Sequence, residues 1–210
     1  FQAMLNVNHP TYLIRAPRSA ADVFLDYLVL GVRHIWGGLD HLLFVFGLLL
    51  LIAGPRRLLW TITAFTLGHS VTLALATLGV IQYPIDLIEV LIAISVFTLA
   101  VTLASKNQER LLWRSPGWLA AGFGLLHGMG FAGALLEIGL PSKNLLLALF
   151  SFNAGIEGGQ ILFIAAFLLP WQYLKKQSSR RFGVARWASI YLLGSLAAYW
   201  TVERSVIAFG

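Results

Sequence analysis

The stretch Trp118-Leu119-Ala120-Ala121-Gly122-Phe123-Gly124-Leu125-Leu126-His127-Gly128-Met129-Gly130 opens a run, 118–138, with the length of a membrane-crossing helix and a histidine at its middle. About 20 predominantly apolar residues, rising 1.5 Å each, cover a hydrocarbon layer about 30 Å thick. The small residues around His127 let neighbouring backbones approach closely, as packed membrane helices require. Five more stretches of this kind appear once turn and charge signals cut the chain: 36–53, 58–80, 85–105, 145–169 and 185–207. The cuts fall at Gly54-Pro55-Arg56-Arg57, at Gln82-Tyr83-Pro84, at the charged stretch 106–114 with Ser115-Pro116-Gly117, at 139–143 and at 170–186. All are short connections, so consecutive helices are expected to pack antiparallel.

Composition agrees with lipid as the main solvent. Hydrophobic residues make up 58% of the 210 and charged ones 11%, and the mean hydropathy of +0.78 is far above that of a soluble domain. The expected fold class is all-α, a polytopic membrane protein of six transmembrane helices in a compact bundle. An interfacial or extended N-terminal helix, mixing apolar residues with Asp22, Asp26 and Arg33, is expected ahead of it at 22–33. Residues 1–21 read as an N-terminal extracytoplasmic segment and 22–210 as one transmembrane domain.

The net charge of +6 does not point to nucleic acid, because the basic residues fall in short clusters between apolar runs. Lys and Arg number two, none, three, one and five in successive connections. By the positive-inside rule the odd connections are cytoplasmic and both termini lie outside. With no cysteine in the chain, disulfides, thiolate metal sites and cysteine nucleophiles are excluded, and any bound metal must use nitrogen or oxygen ligands.

Ionisable groups in hydrocarbon cost several kcal/mol, about 2.5–3.5 at a helix centre, unless they are partnered. The spans nevertheless carry Asp40 and His41, His69, Asp86 and Glu89, His127, and Glu157, with His34 just before the first of them and only His9 in the polar tail. Counted from the Arg- and Lys-anchored ends, His41, His69, His127 and Glu157 share one layer about 13–18 Å above the inner edge of the hydrocarbon, with Asp40 beside them. Glu89 falls higher, and Asp86 and His34 nearer the outer surface, as a vestibule. His34 lies on the face of His41 if one helix continues between them, but Gly37 and Gly38 stand in the way. Asn153, Glu157 and Gln160 form a polar stripe at i, i+4 and i+7, with Gly155, Gly158 and Gly159 as a small-residue face. Thr63, Thr66, Ser70 and Thr72 are candidates to orient an imidazole. Imidazole and carboxylate without thiolate suit Zn, Ni, Co, Mn or Fe and disfavour copper(I).

His34-Ile35-Trp36-Gly37-Gly38-Leu39-Asp40-His41-Leu42-Leu43-Phe44 has a histidine, five residues, then Asp-His. This block resembles the HupE/UreJ membrane proteins, accessory to hydrogenases and ureases, as do Ile88-Glu89-Val90 through Ile94-Ser95-Val96 and the Leu-His-Gly within 123–128. Gly68-His69-Ser70 and 153–160 resemble the second branch of that family, and Met129, Gly130, Phe131 and Ala132 stand where better-known members carry further histidines and a glutamate. The resemblance implies a nickel or cobalt permease of the bacterial inner membrane, with metalloenzyme maturation proteins as partners. It also implies His34, Asp40 and His41 as metal contacts, with His127 and Glu89 as further candidates.

Two functions fit the residues. In the first, a divalent transition-metal ion (Ni, Co or Zn) is transported through His34, Asp40, His41, His69, Glu89, His127 and Glu157. In the second, three histidines hold zinc in an intramembrane hydrolase, with Glu157 or Asp40 as general base and Ser70 as an orienting group or nucleophile. The inner halves of the spans look almost purely apolar, which counts against a permeation route unless helices rock around a midplane site.

Overall fold

The computed structural model describes residues 19–105, 115–138, 141 and 144–210. Nearly all of the N-terminal segment expected at 1–21, with His9, lies outside the described residues, as do the charged connection 106–114 and most of 139–143. Among the described residues seven helices follow one another: α1 (Ala20–Gly37), α2 (Leu39–Leu51), α3 (Pro55–Thr77), α4 (Ile85–Ala104), α5 (Pro116–Ile138), α6 (Leu145–Gln177) and α7 (Ser179–Phe209). No strand occurs among the described residues, and the protein is an all-α polytopic membrane protein.

Local chemistry sets the helix starts. The Ser19 hydroxyl accepts from the Asp22 amide at 3.1 Å while the Ser19 amide donates to the Asp22 carboxylate at 3.2 Å, a reciprocal cap on α1. Pro55 opens α3, where its missing N–H costs nothing.

The span count differs from the expected six. Helices α3 to α6 are each long and apolar enough to cross a bilayer, and α1 with α2 forms a pair bent by 76° that makes at most a fifth span. The stretch 36–53 is therefore not one straight helix. Gly38 breaks it with an extended backbone, and the 13 residues of α2 reach only about 20 Å. Helix α7 is 31 residues long but less apolar, diluted by Arg186 near one end and Glu203 and Arg204 near the other. The connection expected at 170–186 is also helical: α6 runs through Pro170 to Gln177, and α7 starts after Ser178 alone. Lys175 and Lys176 are the last-turn cations of α6, where the helix dipole favours positive charge, rather than signs of a loop.

The closest pairings are between helices that are not neighbours in sequence: α3 with α5, α1 with α6, and α4 with α7, with α2 set against α4, α6 and α7. Glycine makes two of them. A Cβ at Gly68 would enter the Ala121 carbonyl, one at Gly124 the Phe65 carbonyl and one at Gly128 the His69 carbonyl, so α3 and α5 touch backbone to backbone. Gly31 and Gly155 do the same for α1 and α6, against the Phe152 and Leu28 carbonyls. The short α2 lies inside, burying His41, Phe44, Val45, Gly47 and Leu48.

Candidate metal centre

The break at Gly38 decides the site. It turns α2 away from α1, so His34 and His41 meet across the bend, ring centroids 4.7 Å apart, instead of stacking two turns apart on one helix. The tight α3–α5 and α1–α6 contacts bring the other rings in. His69 on α3 lies 5.9 Å from His34 and 6.2 Å from His41, and His127 on α5 lies 4.7 Å from His41. One ligand atom each from His34, His41 and His69 all fall within 4.8 Å of one another.

Hydrogen bonding assigns the ring nitrogens. His41 Nδ1 faces Asp40 Oδ1 at 2.9 Å, so Nδ1–H donates to the carboxylate and the Nε2 lone pair is left free. Ser95 spends its proton on the Ile92 carbonyl at 2.7 Å, so its contact of 3.2 Å with His127 Nε2 makes that nitrogen the donor and leaves Nδ1 as the lone pair. The remaining atoms, His34 Nε2, His41 Nε2, both nitrogens of His69 and His127 Nδ1, are buried without a hydrogen-bond partner. Buried polar atoms without a partner are uncommon and costly. Convergent imidazole nitrogens of this kind, with a carboxylate behind one ring, are a donor set for a divalent transition metal. Their spread is wider than the roughly 3.3 Å edge of a tetrahedral site with 2.0–2.1 Å bonds, so ring rotation is needed to close on an ion.

A cavity of about 140 Å³ reaches His34, His41 and His127 from the end of the bundle where α4 begins and α7 finishes, with Asp40, Glu89 and Arg204 on its wall. Its volume has room for several waters. Arg204 donates to the Glu89 carbonyl at 3.1 Å and lies 3.5 Å from Asp40 Oδ2 and 4.0 Å from Glu89 Oε2. Toward the other end of the bundle, Phe44 and Phe65, both buried, pack 5.6 and 5.1 Å from the His127 ring and 5.1 Å from each other. Phe123 closes on Phe44 at 5.7 Å, and these rings form an aromatic floor under the histidines.

Among the other expected site residues, Asp86 is exposed in the first turn of α4. Glu157 stands apart from the histidines: it accepts from Thr63 at 2.5 Å, and Thr63 is six residues, about 9 Å, along α3 from His69. Gln160, wholly buried, accepts from Thr66 at 3.1 Å one turn nearer. The hydroxyls expected to orient imidazoles do other work. Thr63 and Thr66 tie α3 to α6, Ser70 donates to the Thr66 carbonyl at 2.7 Å, and Thr72 donates to the Leu125 carbonyl at 2.7 Å. The residues that sequence reasoning missed are Ser95 and Arg204. Arg204 carried a usable signal, a charge inside the stretch 185–207.

Fold and site together define a polytopic helical membrane protein with a multi-histidine centre inside its bundle. The chain belongs to the HupE / UreJ family: the family model described as HupE / UreJ protein matches residues 10–204, nearly its whole length. No curated protein and no solved structure matches the chain.

Proposed function

We propose that the protein carries a divalent transition-metal ion, with nickel or cobalt as the family's expected cargo, across the bacterial inner membrane. The observation that carries this reading is the meeting of His34, His41 and His69 within 4.8 Å, their free nitrogens buried, with His34 and His41 lining a cavity walled by carboxylates. With the Arg- and Lys-rich connections cytoplasmic and both termini outside, the cavity faces outward. An ion enters past Asp86 and Glu89, sheds water in the cavity and exchanges it for imidazole. Asp40 holds the His41 ring, and His127 stands ready as a further ligand.

The way inward passes the aromatic floor and then two polar rungs, Gln160 with Thr66 and Glu157 with Thr63. These rungs are polar groups inward of the histidines, where the depth count has the spans almost purely apolar. A centre open on one side and closed on the other suits alternating access, in which helices rock about a fixed midplane site. Loosely spaced neutral ligands suit cargo that must leave again. Handover to metalloenzyme maturation proteins on the cytoplasmic side fits the family.

Hydrolysis finds less support. Asp40 is engaged by His41 and Arg204, Glu157 accepts from Thr63, and the Ser70 proton goes to a helix carbonyl, so each candidate base or nucleophile is already committed. The test is uptake of labelled nickel, cobalt and zinc into proteoliposomes. Saturable uptake that His41→Ala and His69→Ala abolish supports the reading, and tightly held zinc with no uptake overturns it.

A further inference from the structure

The cavity that leads to the histidines already contains a positive charge. Arg204 comes from the far end of the chain, on α7, and reaches across to α2 and α4. Its guanidinium lies 3.5 Å from Asp40 Oδ2, 3.1 Å from the Glu89 carbonyl and 4.0 Å from Glu89 Oε2, with its side chain four-fifths buried. Trp200, one helical turn earlier, backs the guanidinium with its ring at 5.8 Å. The same Asp40 faces His41 Nδ1 through its other oxygen at 2.9 Å. One carboxylate therefore couples an imidazole of the metal centre to a tethered cation.

Burying Asp40 costs free energy that Arg204 offsets through a charge-assisted contact. An arriving divalent ion alters that balance. It brings two positive charges to the far side of the His41 ring from Asp40, whose other oxygen faces the guanidinium, and like charges repel at the reduced dielectric of a protein interior. Ion and guanidinium compete for the same acidic field.

We infer that Arg204 is the resident cation of the ion-free centre, neutralising Asp40 and Glu89 until the incoming ion displaces it. Ion entry is then an exchange of one cation for another. The arginine sets the affinity low enough for release and resets the site after the ion leaves. The inference rests on the transport reading for its purpose, but its electrostatics stand on Arg204, Asp40 and Glu89 alone.

The experiment uses the full chain, purified in detergent without metal, as wild type, Arg204→Gln, Arg204→Lys and the Arg204→Gln/Asp40→Asn pair. Thermal unfolding without metal comes first. Arg204→Gln is expected to melt lower than wild type, and adding Asp40→Asn is expected to recover part of the loss. Calorimetric titration with nickel(II) at low ionic strength comes second. Arg204→Gln is expected to bind at least about tenfold tighter than wild type, and Arg204→Lys within about threefold of it. Equal or weaker binding by Arg204→Gln overturns the inference, as does an Asp40→Asn addition that lowers the melting temperature further. A wild type that binds no nickel, cobalt or zinc, with the unfolding pattern as expected, overturns the transport reading and leaves the resident-cation assignment standing.

Discussion

Asp40 offers the sharpest quantitative test of how the centre is organised, because one side chain fixes the His41 ring. Its Oδ1 lies 2.9 Å from His41 Nδ1 and also accepts the His41 backbone amide at 2.8 Å. Removing such a carboxylate behind a metal-binding histidine typically weakens metal affinity 10–100-fold, about 1.4–2.7 kcal/mol. Two substitutions divide that effect. Asp40→Asn keeps an acceptor for Nδ1 but loses the charge, and it leaves Arg204 uncompensated beside the site, so nickel binding is expected to fall about tenfold. Asp40→Ala loses the acceptor as well and frees the ring, so a fall of about 100-fold is expected. Competition titration against a metallochromic indicator reads both, with circular dichroism confirming that the bundle is intact. Wild-type affinity in a folded Asp40→Ala would refute the reasoning, as would a larger loss in Asp40→Asn than in Asp40→Ala.

Gly124→Ala places a methyl group against the Phe65 carbonyl and is expected to cost about 1–3 kcal/mol, whereas Gly122→Ala, with nothing within 4 Å, is expected to be neutral or slightly stabilising; thermal melts of the two variants compare them directly. Ser95→Ala removes the acceptor for His127 Nε2 and is expected to lower nickel affinity about tenfold with little change in fold, read by the same indicator titration. Glu157→Gln is expected to leave equilibrium nickel binding within about threefold of wild type while slowing uptake into proteoliposomes at least about tenfold, because its partner Thr63 lies about 9 Å along α3 from His69, away from the cavity. Equal losses in binding and uptake would place Glu157 in the centre itself.

Much of this arrangement was legible from hydrophobic run length and from charges where lipid forbids them. Helices α3, α4 and α5 begin and end within about three residues of the stretches expected from turn and charge signals, since Pro55, Pro84 and Pro116 mark their starts. The convergence of His41, His69 and His127 followed from counting depth along straight helices, which works where helices are straight. It failed for His34 and Glu157. His34 looked peripheral because it precedes the first span; Gly37 and Gly38 marked a break, but not that the bend at Gly38 folds His34 back onto His41. Glu157 looked central by the count from Leu169, but its hydrogen bond with Thr63 sets it at a level six residues, about 9 Å, along α3 from His69. The pairing of α3 with α5 and of α1 with α6 was half visible: the glycines announced close contact but not which helix each would meet. Arg204 showed as a charge inside 185–207 and Ser95 within a family block, but what each would touch was hidden. Their roles depend on contacts across 164 and 32 residues of sequence, which no local pattern encodes.

The central claim is that imidazoles from separate helices close on a single cation, and X-ray absorption at the nickel edge of the loaded protein tests it most directly. The account predicts one nickel per chain, with imidazole scattering from at least three histidines and a nitrogen shell that shrinks in His34→Ala, His41→Ala and His69→Ala alike. Nickel lost on desalting, or an all-oxygen shell indifferent to those substitutions, would contradict it.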